Sequence, residues 1–374
     1  MGAFATPAFA DDTADVQVKL NGTTIAAGAS GKAAIASLIN NGPATATGLT
    51  ITVDFSKLNT RLVDVVNFGG GCDEPVDQKL ICGITPDELK AGEDYDISVA
   101  LVVTNEGVSP GDAAGAITIS VETESSDPNL ANNTVTAPVT IGDNGSDLYV
   151  WAADVPVNED GTTGSLQPGE TDALIIEVGN QGDEPVAGFK VTTTLPENAT
   201  FDKVIVEQFP DDFAGCEFTA DTAVCDWRNL PLIPADQDES TEDDHFSAYT
   251  FALPVKVADD AEAGVNLTGG VSTVEGYEAD RPQLLRAPQP VKLPQGVEGT
   301  VAGDVDATDN TDEFTVFVAA AAGGGGGGLP VTGVQASLLG GIGLAVVAAG
   351  GAMFLISRRR RVVMVTPGDE KPTA

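Results

Sequence analysis

Apolar residues alternate with polar ones over short stretches along most of this chain, the period of a half-buried β-strand. Asp15-Val16-Gln17-Val18-Lys19-Leu20 opens the pattern, and Asp147-Leu148-Tyr149-Val150-Trp151-Ala152 opens it a second time. Each opening is followed by a second strand, Ala33 to Ile39 and Leu174 to Val178. A turn comes next, Asn40-Asn41-Gly42-Pro43 in one copy and Asn180-Gln181-Gly182-Asp183 in the other. Third strands are predicted over Leu49 to Phe55 and Phe189 to Leu195, and long strands over Tyr95 to Val103 and Tyr249 to Val257. Asn132-Asn133 precedes a closing strand over Val135 to Ile141, and Asp309-Asn310 precedes one over Phe314 to Val318. The middle of the chain is thus an internal repeat.

About seven short strands with turn signals between them describe an antiparallel β-sandwich of immunoglobulin-like type. The expected fold is all-β: two tandem immunoglobulin-like β-sandwiches, then a Gly-rich linker and one C-terminal transmembrane helix. Repeat 1 spans residues 13–142 and repeat 2 spans 146–318, with Gly142 to Gly145 as a short joint. The second copy is longer and carries extra segments at Ala235–His245 and Glu275–Glu298. The strand–N-x-G–strand opening, the mid-domain Cys pair and the Asn-rich close resemble bacterial surface Ig-like repeat modules of the DUF11/CARDB kind. That resemblance implies architecture and names no ligand.

The tails read differently. Ala319 to Gly328, four Ala and six Gly, is a flexible linker with a reach of about 17–19 Å. Leu329-Pro330-Val331-Thr332-Gly333 follows, then an apolar run from Val334 to Ser357, then Arg358, Arg359, Arg360 and Arg361. As a helix the run is about 36 Å long, enough to span a hydrocarbon core, and the arginines form a stop that stays in the cytoplasm. Its many glycines and alanines make it a weak anchor. Pentapeptide, apolar span and basic tail over residues 329–374 resemble the LPxTG sorting signal of Gram-positive surface proteins. The resemblance implies that a membrane sortase recognises Leu329, Pro330, Thr332 and Gly333, cuts after Thr332, and joins Thr332 covalently to peptidoglycan. Pro330 stiffens the peptide and Gly333 leaves the scissile bond open. Membrane insertion is then transient, and the mature protein resides in the cell wall, outside the cell. Ala8-Phe9-Ala10 before Asp11-Asp12 looks like a signal-peptide cleavage site, so residues 1–10 are read as a signal-peptide remnant whose fuller leader is expected upstream.

Composition narrows the function classes. Of 374 residues, 56 are acidic and 18 basic, a formal net charge of -38, and such a surface repels nucleic acid. Losing the basic tail makes the mature chain more acidic still. This charge suits a soluble, mutually repelling wall protein. Aromatic residues are only 5%, too few for sugar-binding platforms. The four cysteines form two local pairs, Cys72 with Cys82 and Cys216 with Cys225, read as disulfides in an exported chain. Each closes a loop of about ten residues and contributes about 2–3 kcal/mol. A zinc site is the alternative, and the absence of C-x-x-C spacing argues against it.

Catalytic signatures are scarce. The one histidine, His245, sits in the acidic stretch beginning at Asp236, and neither G-x-S-x-G nor H-E-x-x-H occurs. No cofactor and no enzymatic role are expected. Asp304, Asp306 and Asp309 offer oxygen ligands at calcium-loop-like spacing, although the EF-hand pattern is not met. Lys19, Lys32, Lys190 and Lys256 lie on or beside strands. Lys–Asn isopeptide bonds, known from similar wall proteins, are one use of such lysines, and simple exposure is the commoner one. The reading is a structural or adhesive wall protein with an unknown surface ligand. The alternative is a ligand- or calcium-binding protein, less readily an enzyme, using the inserts of the second copy.

Overall fold

The computed structural model describes residues 13–66, 72–73, 75–83, 88–104, 107–158, 163–238, 246–278 and 303–320. The sorting signal, the apolar run, Arg358 to Arg361, residues 1–10 and His245 all lie outside the described residues. Among those described, no helix is long and apolar enough to cross a membrane.

The described chain is all-β, as the alternation predicts, and forms two immunoglobulin-like sandwiches within one compact unit. The first pairs β1 (Val16–Asn21), β3 (Gly31–Asn40), β9 (Asp94–Val103) and β6 (Val63–Val66) in one sheet. Its second sheet runs β2 (Thr24–Ile25), β11 (Thr134–Ile141), β10 (Ala113–Glu122), β5 (Thr50–Leu58) and β7 (Lys79–Gly83). A small ladder joins β4 (Ala46–Thr47) to β8 (Glu88–Leu89). Pairing is antiparallel except where β2 runs parallel to β11. Inward positions alternate as period two requires: Val16 and Val18, Ala34 and Ala36, Ile51 and Val53, Ile117 and Ile119 are all buried in one core.

The second sandwich repeats the plan. β12 (Leu148–Ala152), β13 (Thr171–Asn180), β18 (Ala248–Val257) and β15 (Ala199–Phe201) form one sheet. β16 (Cys216–Phe218), β17 (Thr222–Trp227), β14 (Val186–Thr194), β19 (Leu267–Glu278) and β20 (Thr311–Val316) form the other. Phe189, Leu174, Ile176 and Phe314 fill its separate core. One short helix, α1 (Lys203–Gln208), follows β15, with Asp202 accepting from the Val204 and Ile205 amides at its start.

Two central strands lie where the alternation of apolar residues marks none. β10 lies between β5 and β11, and β19 lies between β14 and β20 in the equivalent place. The segment read as an insert from Glu275 therefore begins inside β19, whose last four residues are Glu275 to Glu278. Residues 279–298 of that segment lie outside the described ones. Of the Ala235–His245 segment, Ala235–Gln237 form a single 3-10 turn.

The N-x-G turns have a shared physical cause. Asn40 is fully buried, and its side chain accepts from the Asp15 and Gly42 amides while donating to the Ala44 and Leu89 carbonyls. Asn180 does the same in the second copy, with Asp147, Gly182, Glu184 and Leu232. Each asparagine thereby ties the first strand, the turn and a later loop together. A Cβ on Gly42 would stand 2.5 Å from the Asp15 nitrogen, and one on Gly182 2.6 Å from that of Asp147, so only glycine fits.

Candidate functional site at the junction between the sandwiches

The pairing of β1 with β3 stops at Asn21 opposite Ile35, so Gly31 to Ala34 extend past the end of β1. An unpaired strand edge needs partners, and the second sandwich supplies them. Gln181, the middle residue of the N-x-G turn, accepts from the Ala33 amide at 2.5 Å and donates to the Ala33 carbonyl at 3.3 Å. Next to it, Lys32 enters an acidic cage built by the start of β12 and by the loop before β20. Its ammonium lies 2.7 Å from Asp147, 2.9 Å from Asp309 and 3.6 Å from Asp306, and all these side chains are almost wholly out of solvent.

The same loop reaches further into the first sandwich. Asp306 accepts from the Thr24 amide at 2.7 Å, Thr308 accepts from the Gly22 amide at 3.0 Å, and Val305 packs against the first core. Lys19 pairs with Glu313 at 2.9 Å, Asn266 donates to the Ala91 carbonyl, and Thr315 donates to the Gly92 carbonyl. Lys90 donates to the Thr163 carbonyl. The segment read as a joint is pinned as well: the Gly142 amide bonds the Ile25 carbonyl, and the Gly145 amide bonds Asp183. The two sandwiches are locked side by side by hydrogen bonds along the whole seam.

A second acidic group sits in this seam. Asp94 and Asp96 of β9 meet Asp154 and Asp312 of the second sandwich. The Asp94 amide donates to Asp154 at 3.1 Å, Thr315 donates to Asp154 at 2.6 Å, and Ala152 donates to Asp312 at 2.7 Å. Asp96 accepts from Ser37 at 2.6 Å and from Trp151. Burial, with mutual repulsion added, pushes the carboxyls of Asp94 and Asp312 well above their ordinary value. Asp154 is raised by burial to about 7.

The Lys32 cage titrates under the same forces. Burial raises Asp147 to about 6 and Asp309 to about 8, with the ammonium opposing the rise. For Asp306 burial also pushes upward, yet Lys32 and bonds from Thr308 and Thr24 outweigh it, and its carboxyl is lowered. Burial disfavours the Lys32 ammonium, but Asp309, Asp147 and Asp306 overcome this and raise its pKa. Beside the second cluster lies a cleft of about 340 Å³, lined from both sandwiches by residues that include Lys19, Asp94, Glu313 and Phe314.

The structure thus places the calcium candidates Asp304, Asp306 and Asp309 around a lysine of the other sandwich. Asp147, which the sequence reading did not single out, joins them. Of the four strand lysines, Lys19 meets Glu313, Lys32 meets aspartates, Lys190 meets Glu275 and Lys256 meets Asp259, so the partners recorded for them are carboxylates and not Asn side chains. Both cysteine pairs are bonded, with S–S distances of 2.04 Å for Cys72–Cys82 and 2.05 Å for Cys216–Cys225. The partners stand opposite one another on paired backbone, and no free thiol remains for zinc.

Fold and junction together define a class, a tandem of immunoglobulin-like sandwiches fused by a buried polar seam. No family model matches the chain, and no curated protein matches it. Solved structures that match include a collagen adhesin from S. aureus, at 10% identity over 82% of this chain and 93% of that one, with a TM-score of 0.21. The Enterococcus faecalis adhesin ACE, described as binding its ligands by a collagen hug, matches at 11% identity over 83% and 98%, with a TM-score of 0.22. Red sea bream transglutaminase matches at 12% identity over 71% of this chain, with a TM-score of 0.22, and the chain spans 29% of that enzyme's length. At such identities and scores the likeness says nothing of ligand or activity.

Proposed function

We propose that the protein is a sortase-anchored, non-enzymatic surface protein of a Gram-positive cell wall, with a structural or adhesive role. One observation carries the reading: the order LPVTG, apolar run and Arg cluster that follows the Gly-rich linker. The architecture is consistent with it. A seam that fixes the two sandwiches relative to one another makes a stiff element, which a flexible Ala/Gly leash then presents outward. Two disulfides and a strongly acidic surface suit an oxidising, exposed location. Peptidoglycan is the covalent partner through Thr332, and sortase is the processing enzyme.

The test is fractionation of cells with and without the housekeeping sortase. The reading expects wall-linked protein, released by muramidase, in the first case and membrane-retained precursor in the second. Equal distribution in both strains overturns it. A ligand-binding role is favoured by one feature, the cleft at the seam, whose walls come from both sandwiches. Removing 239–245 and 279–298 while sparing β19 separates capture at the inserts, which such a deletion abolishes, from capture at the cleft, which survives it.

A further inference from the structure

Four carboxylates crowd one ammonium where the loop before β20 meets the first sandwich. Lys32 satisfies one oxygen each of Asp147 and Asp309. Their other oxygens, Asp147 Oδ1 and Asp309 Oδ1, receive no hydrogen bond, although the two residues are 0% and 4% exposed. Asn310 Oδ1, on the next residue, is also buried without a donor. Buried carboxylate oxygens are ordinarily given a donor or a cation, because an unpartnered one has lost its hydration for nothing.

Geometry says which. Asp147, Asp304 and Asp309 each bring a carboxylate oxygen within 4.8 Å of the others. One cation with oxygen ligands at about 2.3–2.6 Å spans that spacing. Asp306 lies outside that group of oxygens, and its two oxygens already serve the Thr308 amide and hydroxyl and the Thr24 amide. Asp304 accepts an amide at each oxygen, from Asp306 and Leu148, and retains lone pairs for an ion. We propose that Asp147, Asp304 and Asp309 form a site for one divalent cation of the calcium class, beside the Lys32 ammonium.

The chemistry of the donors supports the class. An all-oxygen carboxylate set disfavours zinc and copper, which seek nitrogen or sulfur. Magnesium keeps several waters in a strict octahedron, and two of the three ligands here are buried, which leaves little room for them, so calcium fits better. A divalent ion and one ammonium together nearly neutralise four carboxylates. The ion ties the start of β12 to the 304–309 loop, the two segments that receive Lys32, and so tightens the seam.

The full chain, stripped with a chelator, is titrated with calcium chloride in a calorimeter and melted with and without the ion. The expected result is one equivalent bound and a melting temperature raised by several degrees, with a smaller shift for magnesium. Asp304→Asn and Asp309→Asn each abolish both effects. Asp54→Asn, a carboxylate of the first sandwich paired with Lys79, leaves them intact. No stoichiometric binding up to about 10 mM calcium, beyond the usual range for extracellular modules, overturns the proposal. So does binding that persists in a folded Asp304→Asn chain. Should the Asn variants not fold, terbium replaces calcium on the wild-type chain. Emission sensitised by Tyr149 and Trp151, close to Asp147 on β12, supports the site, and its absence refutes it.

Discussion

Replacing Lys32 by methionine keeps most of the side-chain volume and removes the ammonium from the seam. Asp147 and Asp309, bonded to it at 2.7 and 2.9 Å, lose the cation that holds their charge in a buried place. Breaking a buried pair from one side ordinarily costs about 3–5 kcal/mol, because the stranded charge is worse than no charge at all. Protonation caps the loss, since burial already raises Asp147 to about 6 and Asp309 to about 8. The deficit is therefore pH-dependent. It grows as the pH rises, and because losing the ammonium lets both carboxyls rise further it is still growing above pH 8. It shrinks as the pH falls towards the ordinary carboxylate range, where the stranded groups are neutral. At about 2–4 °C per kcal/mol for a unit of this size, differential scanning calorimetry should show a loss of roughly 6–20 °C at pH 8.5. Because the seam couples the sandwiches, the single transition should also split into two. Adding Asp309→Asn should recover part of the loss, a coupling that a double-mutant cycle reads directly. A Lys32→Met chain that melts within about 1 kcal/mol of wild type at pH 8.5, in one transition, refutes the idea that this lysine locks the seam.

Other perturbations follow the same logic. In the wild-type chain Asp147, Asp154 and Asp309 have folded-state values above their unfolded ones, so the native state holds more protons between about pH 4 and pH 8. Their contribution is fully present below the unfolded value and is lost as the pH rises through the folded values, so urea midpoints should decline from pH 4.5 to 8.5. Asn40→Ala and Asn180→Ala each remove four bonds to buried or half-buried backbone groups and should cost about 2–4 kcal/mol by urea denaturation, with Asn→Asp no substitute because it cannot donate. Cys→Ser pairs at either disulfide should lower stability by about 2–3 kcal/mol each, and a reductant should do the same to the wild type.

Much of this fold is written in the alternation of apolar residues, because period two on one buried face is a strong constraint. Val16 and Val18, or Ile51 and Val53, announce their strands at once. The two central strands β10 and β19 escaped for a local reason. Both begin with small residues and glycines that imitate a loop. Gly115, at φ +102°, sits where β10 bulges against β11, and a Cβ there would strike the Lys57 carbonyl of β5. Gly269, at φ +91°, marks the bulge of β19 against β20. Glycine there serves a bulge in the middle of a sheet and does not break it.

The junction was harder to read for another reason. The N-x-G turns were visible as repeats, but not that Gln181 of the second turn caps the edge of β3. Lys32 and Asp147 stand 115 residues apart, and nothing periodic links them. Among 56 acidic residues, the few that face a buried lysine carry no local mark. Only the folded chain singles out Asp147, and only its orphaned oxygen separates a cation ligand from a solvated carboxylate.

Covalent attachment to the wall through LPVTG is read from the chain's own C-terminal peptide. Protein released from purified walls by muramidase is digested, and its C-terminal peptide is weighed. Covalent anchoring gives a peptide ending at Thr332, heavier by a peptidoglycan stem fragment joined through an amide. A peptide that continues through Gly333 into the apolar run, or a Thr332 with a free carboxyl, contradicts it.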